Sequence, residues 1–205
     1  LGFVLTLLPV SYSIAIEETK YTVLLKEGDL ELREYAPYII AQTLVNGDFE
    51  EAGDTAFRKL FDYITGENHL EQDVEMTVPV GQTQVDAGKK IEMTAPVGQT
   101  QLAGQWAVSF MMPASYTLET LPKPNNKDVT LEKIPGRKVA TITYSGFWDE
   151  EGYLKNKEIL MKWLVGKNLV QAGEPIWARY NPPIMPWFLR RNEILIPIRN
   201  VRQKQ

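Results

Sequence analysis

The sequence predicts an α+β domain, a pseudo-twofold repeated unit forming a distorted antiparallel β-barrel with two main helices. Three observations lead there. Part of the chain recurs at a constant offset, the 99 residues from Leu32 to Leu131; each copy opens on two strand-like runs; and each then passes into a stretch of helical periodicity.

The repeat is read residue by residue. Leu32, Ala41, Gly47 and Glu51 recur as Leu131, Ala140, Gly146 and Glu150, with Phe49 answered by Trp148 and Glu50 by Asp149. In the first copy Leu30–Tyr35 alternates in the period-two manner of a half-buried strand, Ala36 and Pro37 make a turn, and Tyr38–Val45 is a second, more apolar strand. The second copy repeats the order with Val129–Ile134, a turn at Pro135 and Gly136, and Arg137–Tyr144.

A helix follows each Gly. Asp48 and Asp149 are the expected N-caps, and acidic residues fill each first turn, where they oppose the positive end of the helix dipole. Along the first helix Phe49, Ala52, Ala56, Leu60 and Ile64 fall on one face, with Phe57 and Phe61 beside them. Asp54, Arg58 and Asp62 take the opposite face, and Gly66 marks the stop. Along the second, Leu154, Ile159, Leu160, Trp163 and Leu164 take the apolar part and Gly166 the end. Extended, proline-bearing segments come next, residues 74–80 and 176–183. A shorter duplication matches residues 74–84 to 91–101; with Asp86, Ala87 and Gly88 as a hairpin turn between them, the two copies are expected as neighbouring strands.

With 205 residues, 44% of them hydrophobic, the chain suits one sizeable core. A single domain is expected over residues 16–205, with halves at about 16–104 and 105–205. A net charge of −4 with scattered Lys and Arg disfavours nucleic acid as a partner. The absence of cysteine removes thiol nucleophiles, zinc–thiolate sites, disulfides and thiolate haem ligation. No Gly-rich phosphate loop precedes a helix. Residues 1–15 read as a truncated signal peptide, an apolar run ending in Ser13, Ile14 and Ala15, which suits a signal-peptidase site. A retained anchor is the other reading. Export to the periplasm or secretion is the expectation, with no stable membrane span once the signal is cleaved.

Several separated motifs then resemble the SOUL haem-binding protein family. They include the run Leu32, Arg33, Glu34 and Tyr35; the helix stretch from Phe57 to Ile64 with Gly66, Glu67 and Asn68; and Ile91, Glu92, Met93, Thr94, Ala95, Pro96 and Val97. Others are Phe110, Met111, Met112 and Pro113; Tyr180, Asn181, Pro182 and Pro183; and Arg190, Arg191, Asn192 and Glu193. The resemblance implies a barrel-like sheet with two helices, a fold shared with ligand-sensing domains of bacterial regulators. It also implies a small-molecule ligand, haem or another porphyrin held non-covalently in a hydrophobic groove beside the first helix.

Carried onto this sequence, the resemblance places the site at Ala56, Phe57, Arg58, Lys59, Leu60 and Phe61 of the first helix, with Met185 in the loop after the Pro-Pro pair. Where the family sets Arg or Lys toward the propionates, this chain has Asp54 and Asp62 on the helix and Ile184 and Met185 in the loop. His69, the single histidine, is either an axial haem ligand or a solvated loop residue. Met76, Met93, Met111 and Met112 read as core filler, Glu75 and Glu92 as polar strand faces, and the Arg190 to Glu193 run as a structural tie. The function expected is a carrier, buffer or sensor of tetrapyrroles, not an enzyme. The alternatives are a tetrapyrrole-modifying, metal-removing enzyme and an interaction module for another apolar ligand or a peptide.

Overall fold

A computed structural model describes residues 16–70 and 88–200. The chain runs β1 (Tyr21–Glu27), β2 (Leu30–Tyr35), β3 (Tyr38–Val45), α1 (Phe49–Thr65), β4 (Asn68–His69), β5 (Val97–Leu102) and β6 (Gln105–Met111). It continues through β7 (Lys123–Pro124), β8 (Val129–Ile134), β9 (Arg137–Tyr144), α2 (Glu150–Gly166), β10 (Leu169–Gln171), β11 (Ile176–Arg179), a 3-10 turn at Trp187–Leu189 and β12 (Asn192–Asn200). The four strands expected from the repeat, β2, β3, β8 and β9, form at the residues expected.

The halves exchange strands. β2 pairs antiparallel with β9, Tyr35 opposite Arg137, while β3 pairs with β8, Tyr38 opposite Ile134. Each of these ladders is the image of the other under the sequence repeat. The sheet order β1-β2-β9-β12-β11-β5-β6-β3-β8 is correspondingly palindromic about the β11–β5 ladder once β1 is set aside. In the hairpin-like pairs β5–β6 and β11–β12, Val97 answers to Arg179 and Phe110 to Asn192. That offset is shorter than the one relating the earlier strands. The shortfall equals the spacing of the short duplication, Val74 to Ile91, which only the first half carries. Val97 and Arg179 are themselves opposite each other across the β5–β11 ladder, so the local twofold axis passes through that pair.

The ends of the strand path, β1 and β8, share no ladder, so the sheet is open where a barrel was expected to close. Closure is not needed to bury its face, because α1 packs on β3 and β6 and α2 on β9, β10 and β12. One core gathers Ala41, Ala52, Ala56, Leu60, Val108 and Phe110 beneath α1; a second gathers Tyr153, Leu160, Trp177, Ile194 and Ile196 beneath α2. Phe49 of α1 belongs to the second core, stacked on Trp177 at 4.8 Å, and joins the two.

Both helix N-caps are as expected. Asp48 accepts from the backbone N–H groups of Glu50 and Glu51, and Asp149 from that of Gly152. The glycines ahead of the helices hold equivalent backbone positions, φ 126° at Gly47 and 154° at Gly146, which favour glycine and explain why the repeat keeps it. α2 is rotated from the expected face. Tyr153, Leu160 and Leu164 point inward, whereas Leu154 and Ile159 are exposed. The Tyr153 ring packs on Phe49 at 5.4 Å and on Trp177 at 6.4 Å. Gly166 is the last helical residue, and Lys167 caps the end.

The first copy of the short duplication and the export segment at residues 1–15 lie outside the described residues. The second copy is a strand only from Val97; residues 91–96 join no ladder, apart from a bridge between Ala95 and Glu18. Pro96 has no N–H to give to a ladder there. Among the described residues, no helix is long and apolar enough to cross a membrane.

Candidate ligand-binding site

A cleft of about 230 Å³ opens beside α1, formed mainly by three stretches of chain, with Ile16 also on its lining. The second and third turns of α1 supply Gly53, Asp54 and Phe57. The extended run into β5 supplies Met93, Thr94, Ala95 and Val97. The end of β11 and the loop beyond it supply Arg179, Tyr180, Asn181, Pro182 and Pro183, and Trp148, just ahead of α2, adds an aromatic face.

Each wall is fixed by local chemistry. Phe57 is half-buried, stacked on Phe61 at 5.8 Å and edge-on to the buried Phe110 at 5.2 Å. The Pro-Pro loop is tied down by Arg190, whose Nε donates to the Met185 carbonyl and Nη2 to the Pro183 carbonyl, both at 2.8 Å. The same guanidinium lies over the Trp148 ring at 4.4 Å, and Trp148 Nε1 donates to Asn192 at 2.9 Å. Asn181 accepts from the Arg191 backbone N–H at 2.6 Å, closing the base of the loop.

Behind the loop lies a charge network built on the buried Glu193 and Arg33. Glu193 accepts from Arg33 through both carboxylate oxygens at 2.8 and 3.1 Å, from Tyr180 at 2.8 Å, from Thr143 at 3.2 Å, and from Arg191 at 3.0 and 3.1 Å. Burial works to raise the Glu193 carboxyl, but hydrogen bonds and charge from Arg33, then Arg191 and Tyr180, outweigh it and hold it below the ordinary carboxylate range. Arg191 also pairs with Glu18 at 2.9 Å. The Arg190 to Glu193 run is therefore the structural tie expected of it.

Arg179 stands apart from that network. It reaches the cleft from the end of β11 between the rings of Trp177 and Trp148, 4.8 and 5.4 Å from its guanidinium carbon. Among the described residues its one side-chain hydrogen bond, from Nη2 to Gln99 Oε1, is long at 3.4 Å, and its buried Nε has no partner. Burial pushes the guanidinium down to about 10, against the opposing charge of Asp54, so it stays charged at neutral pH.

Of the residues expected to form the groove, Phe57 alone lines this cleft. Ala56 and Leu60 are fully buried in the core under α1, because their helical positions face the sheet. Phe61 is exposed and reaches the site only through its stack on Phe57. Arg58 is exposed outside the lining, and Lys59 is paired with Asp128 at 2.7 Å. Met185 contributes its backbone carbonyl to the loop and does not line the cleft. His69 is exposed in β4, with Nδ1 2.7 Å from Asn125 Oδ1, and is also outside the lining. Met93, expected in the core, is a cleft residue, while Met111 and Met112 are buried as expected. Gly53, Trp148 and Arg179 are cleft residues that the motifs did not single out. A larger hollow of about 480 Å³ lies elsewhere, beside Tyr38 and Tyr116, and carries Glu17, Glu18, Lys20, Glu119 and Lys133 on its walls.

A profile of the SOUL heme-binding protein family matches residues 16–197. The chain belongs to the SOUL haem-binding protein family. The SOUL domain is similar to Heme-binding protein 2 of Homo sapiens, 27% identical over 180 residues that cover 81% of this chain and 80% of the human protein. It is also similar to Heme-binding protein 2 of Mus musculus, 28% identical over 135 residues, 65% of this chain and 59% of that one. Among solved structures it shares its fold with a Listeria innocua protein described as a hydrolase (TM-score 0.55, 13% identity, 86% of this chain and 94% of that one). The EcmrR C-terminal domain shares it too (TM-score 0.54, 14% identity, 88% and 99%). At these identities the solved structures speak for the α+β fold alone.

The cleft residues suit a tetrapyrrole. Phe57, Met93, Val97, Trp148, Pro182 and Pro183 offer apolar and aromatic walls to a flat ring, and Arg179 offers a cation to a carboxylate. No imidazole lines the cleft, and among the described residues no cluster of three metal-ligating side chains occurs.

Proposed function

We propose that this SOUL domain binds haem or another tetrapyrrole non-covalently in the cleft between α1 and the Pro-Pro loop, as a carrier, buffer or sensor. The observation that carries this reading is the aromatic and apolar lining at Phe57, Trp148, Pro182 and Pro183, on the side of α1 where the family is expected to hold its ligand. The cleft is smaller than the roughly 300–1,000 Å³ of pockets that enclose a drug-sized ligand. A porphyrin therefore enters by an edge and keeps part of its ring outside. Covering an area like that of a large aromatic side chain, about 150–250 Å², contributes roughly 4–6 kcal/mol at about 25 cal/mol per Å². No axial histidine is required, since His69 lies outside the lining.

A binding role is favoured over catalysis by the state of the buried acid. Every acceptor position of Glu193 is occupied by Arg33, Arg191, Tyr180 or Thr143, which leaves it no free lone pair to act as a general base. Export belongs to the same proposal, supported by the apolar residues 1–15 and the small residues that end them. N-terminal sequencing of protein recovered from cells is expected to begin at Ile16; recovery of the uncleaved chain alone contradicts export.

Titration with haemin and with metal-free protoporphyrin tests the binding site. Saturable Soret shifts and quenching of tryptophan fluorescence are expected at micromolar ligand, weakened at least tenfold by Phe57→Asp and unchanged by His69→Ala. No spectral change at micromolar ligand overturns the reading, and loss on His69→Ala without loss on Phe57→Asp moves the site away from this cleft.

A further inference from the structure

We infer that Arg179 anchors a carboxylate of the ligand, so that the cleft takes an acid-bearing tetrapyrrole with its acid edge turned inward. The inference rests on the tetrapyrrole reading of the cleft and goes beyond it, because an apolar wall does not distinguish a free acid from its ester.

Four observations carry it. First, the guanidinium lies in the cleft wall and, among the described residues, forms no ion pair. A charge removed from water without a counter-ion is costly, and proteins pair such groups or use them. Second, its donors are under-used, with an unpartnered Nε and a single bond of 3.4 Å to Gln99. The Gln99 amide is not free to serve it better: its Nε2 donates to the Phe49 carbonyl at 2.7 Å, which fixes the side-chain oxygen where it stands. Third, two tryptophan faces hold the guanidinium plane in place, leaving its edge to make directed contacts. Fourth, α1 makes room for it. A Cβ on Gly53 would stand 3.4 Å from both terminal nitrogens of Arg179 and 3.0 Å from Gln99 Oε1.

Asp54 is the one acid that faces this cation across the cleft, and its charge acts on Arg179 without an ion pair forming. It competes with an incoming carboxylate. Asp54 therefore lowers affinity for acids specifically, and its removal strengthens the binding of an acid but not of an ester. A planar guanidinium meets a carboxylate through two parallel N–H···O bonds, a geometry that lysine does not reproduce.

The test compares protoporphyrin IX with its dimethyl ester by fluorescence quenching, on the wild-type chain and on Arg179→Met, Arg179→Lys and Asp54→Asn. The wild type is expected to bind the diacid at least tenfold more tightly than the diester. Arg179→Met is expected to abolish that preference while leaving diester affinity within about twofold, Arg179→Lys to retain only part of it, and Asp54→Asn to widen it. Asp54 is exposed, so its variant reports even if a change at the half-buried Arg179 impairs folding. Equal affinity of the wild type for diacid and diester, or an unaltered preference in Arg179→Met, overturns the role of Arg179 and leaves the tetrapyrrole site standing. Binding of neither ligand overturns the site itself, and the anchor with it.

Discussion

Arg33 and Glu193 form a bidentate ion pair at 2.8 and 3.1 Å although 160 residues separate them, and their side chains are only 2% and 1% exposed. The pair reaches from β2 to β12 over the intervening β9, so the opening strands of the chain are locked to its last one in the wall behind the Pro-Pro loop. Tyr180, at the root of that loop, donates to the same carboxylate.

Removing one member of the pair leaves the other charge buried and uncompensated. Glu193→Gln is expected to lower stability by about 3–5 kcal/mol, read as a shift in the urea midpoint, whereas Arg33→Met combined with Glu193→Leu loses much less. A Glu193→Gln midpoint equal to that of the wild type would contradict this account.

Acid should undo the same network. The carboxyls of Glu193 and Glu31 both sit below their ordinary value in the fold. In each case burial alone would raise it, and the partners, Arg33 and Arg191 for Glu193 and Lys26 and Arg33 for Glu31, overcome that. A lowered folded value means a contribution fully present above the unfolded carboxylate value and lost as pH falls through the folded one. Thermal scans from pH 7 to pH 3 are therefore expected to show Tm falling steeply at the acid end in the wild type and less steeply in Glu193→Gln, whose residue 193 no longer titrates.

The inward face of α1 and its cleft face should separate by phenotype. Leu60→Ala is expected to cost about 2–5 kcal/mol as a core cavity. Phe57→Asp should act mainly on ligand affinity. A stable Leu60→Ala protein with lost binding would return Leu60 to the groove.

Gly53→Ala offers a finer probe. In a helix the added methyl is worth roughly 0.5–1 kcal/mol in propensity, offset here by its 3.0 Å approach to Gln99 Oε1. Near-neutral stability with several-fold weaker binding is expected, and Gly53→Leu, which fills the cleft, should abolish binding in a folded protein. Retention of full affinity in Gly53→Leu would place the ligand elsewhere.

Much of this molecule is legible without coordinates, and the reasons are physical. The period-two runs of β2, β3, β8 and β9 fix their own ends through Pro and Gly turns, and α1 carries an uninterrupted apolar stripe from Phe49 to Ile64. α2 carries apolar residues on more than one face, so Leu154 and Ile159 compete with Tyr153 for the interior, where the tyrosine packs on Phe49. Of the residues placed in the groove from the sequence only Phe57 lines the cleft, although two quoted motifs, at residues 91–97 and 180–183, also reach it. Arg179 had a faint signal: in a strand it shares a face with Trp177, so a buried tryptophan at 177 turns a charge inward at 179. Gly53 gave no signal of its own, since a glycine inside a helix declares its purpose only when the residue packed against it is seen.

The local axis through Val97 and Arg179 has a consequence for what such a seat can hold. Two identical chains meeting on a dyad must present the same side chain from both flanks, so their shared hollow can only be even-handed. Joining the copies in one polypeptide lifts that restriction. A valine now looks across at an arginine, and the hollow acquires a head and a tail, greasy on one flank and cationic on the other.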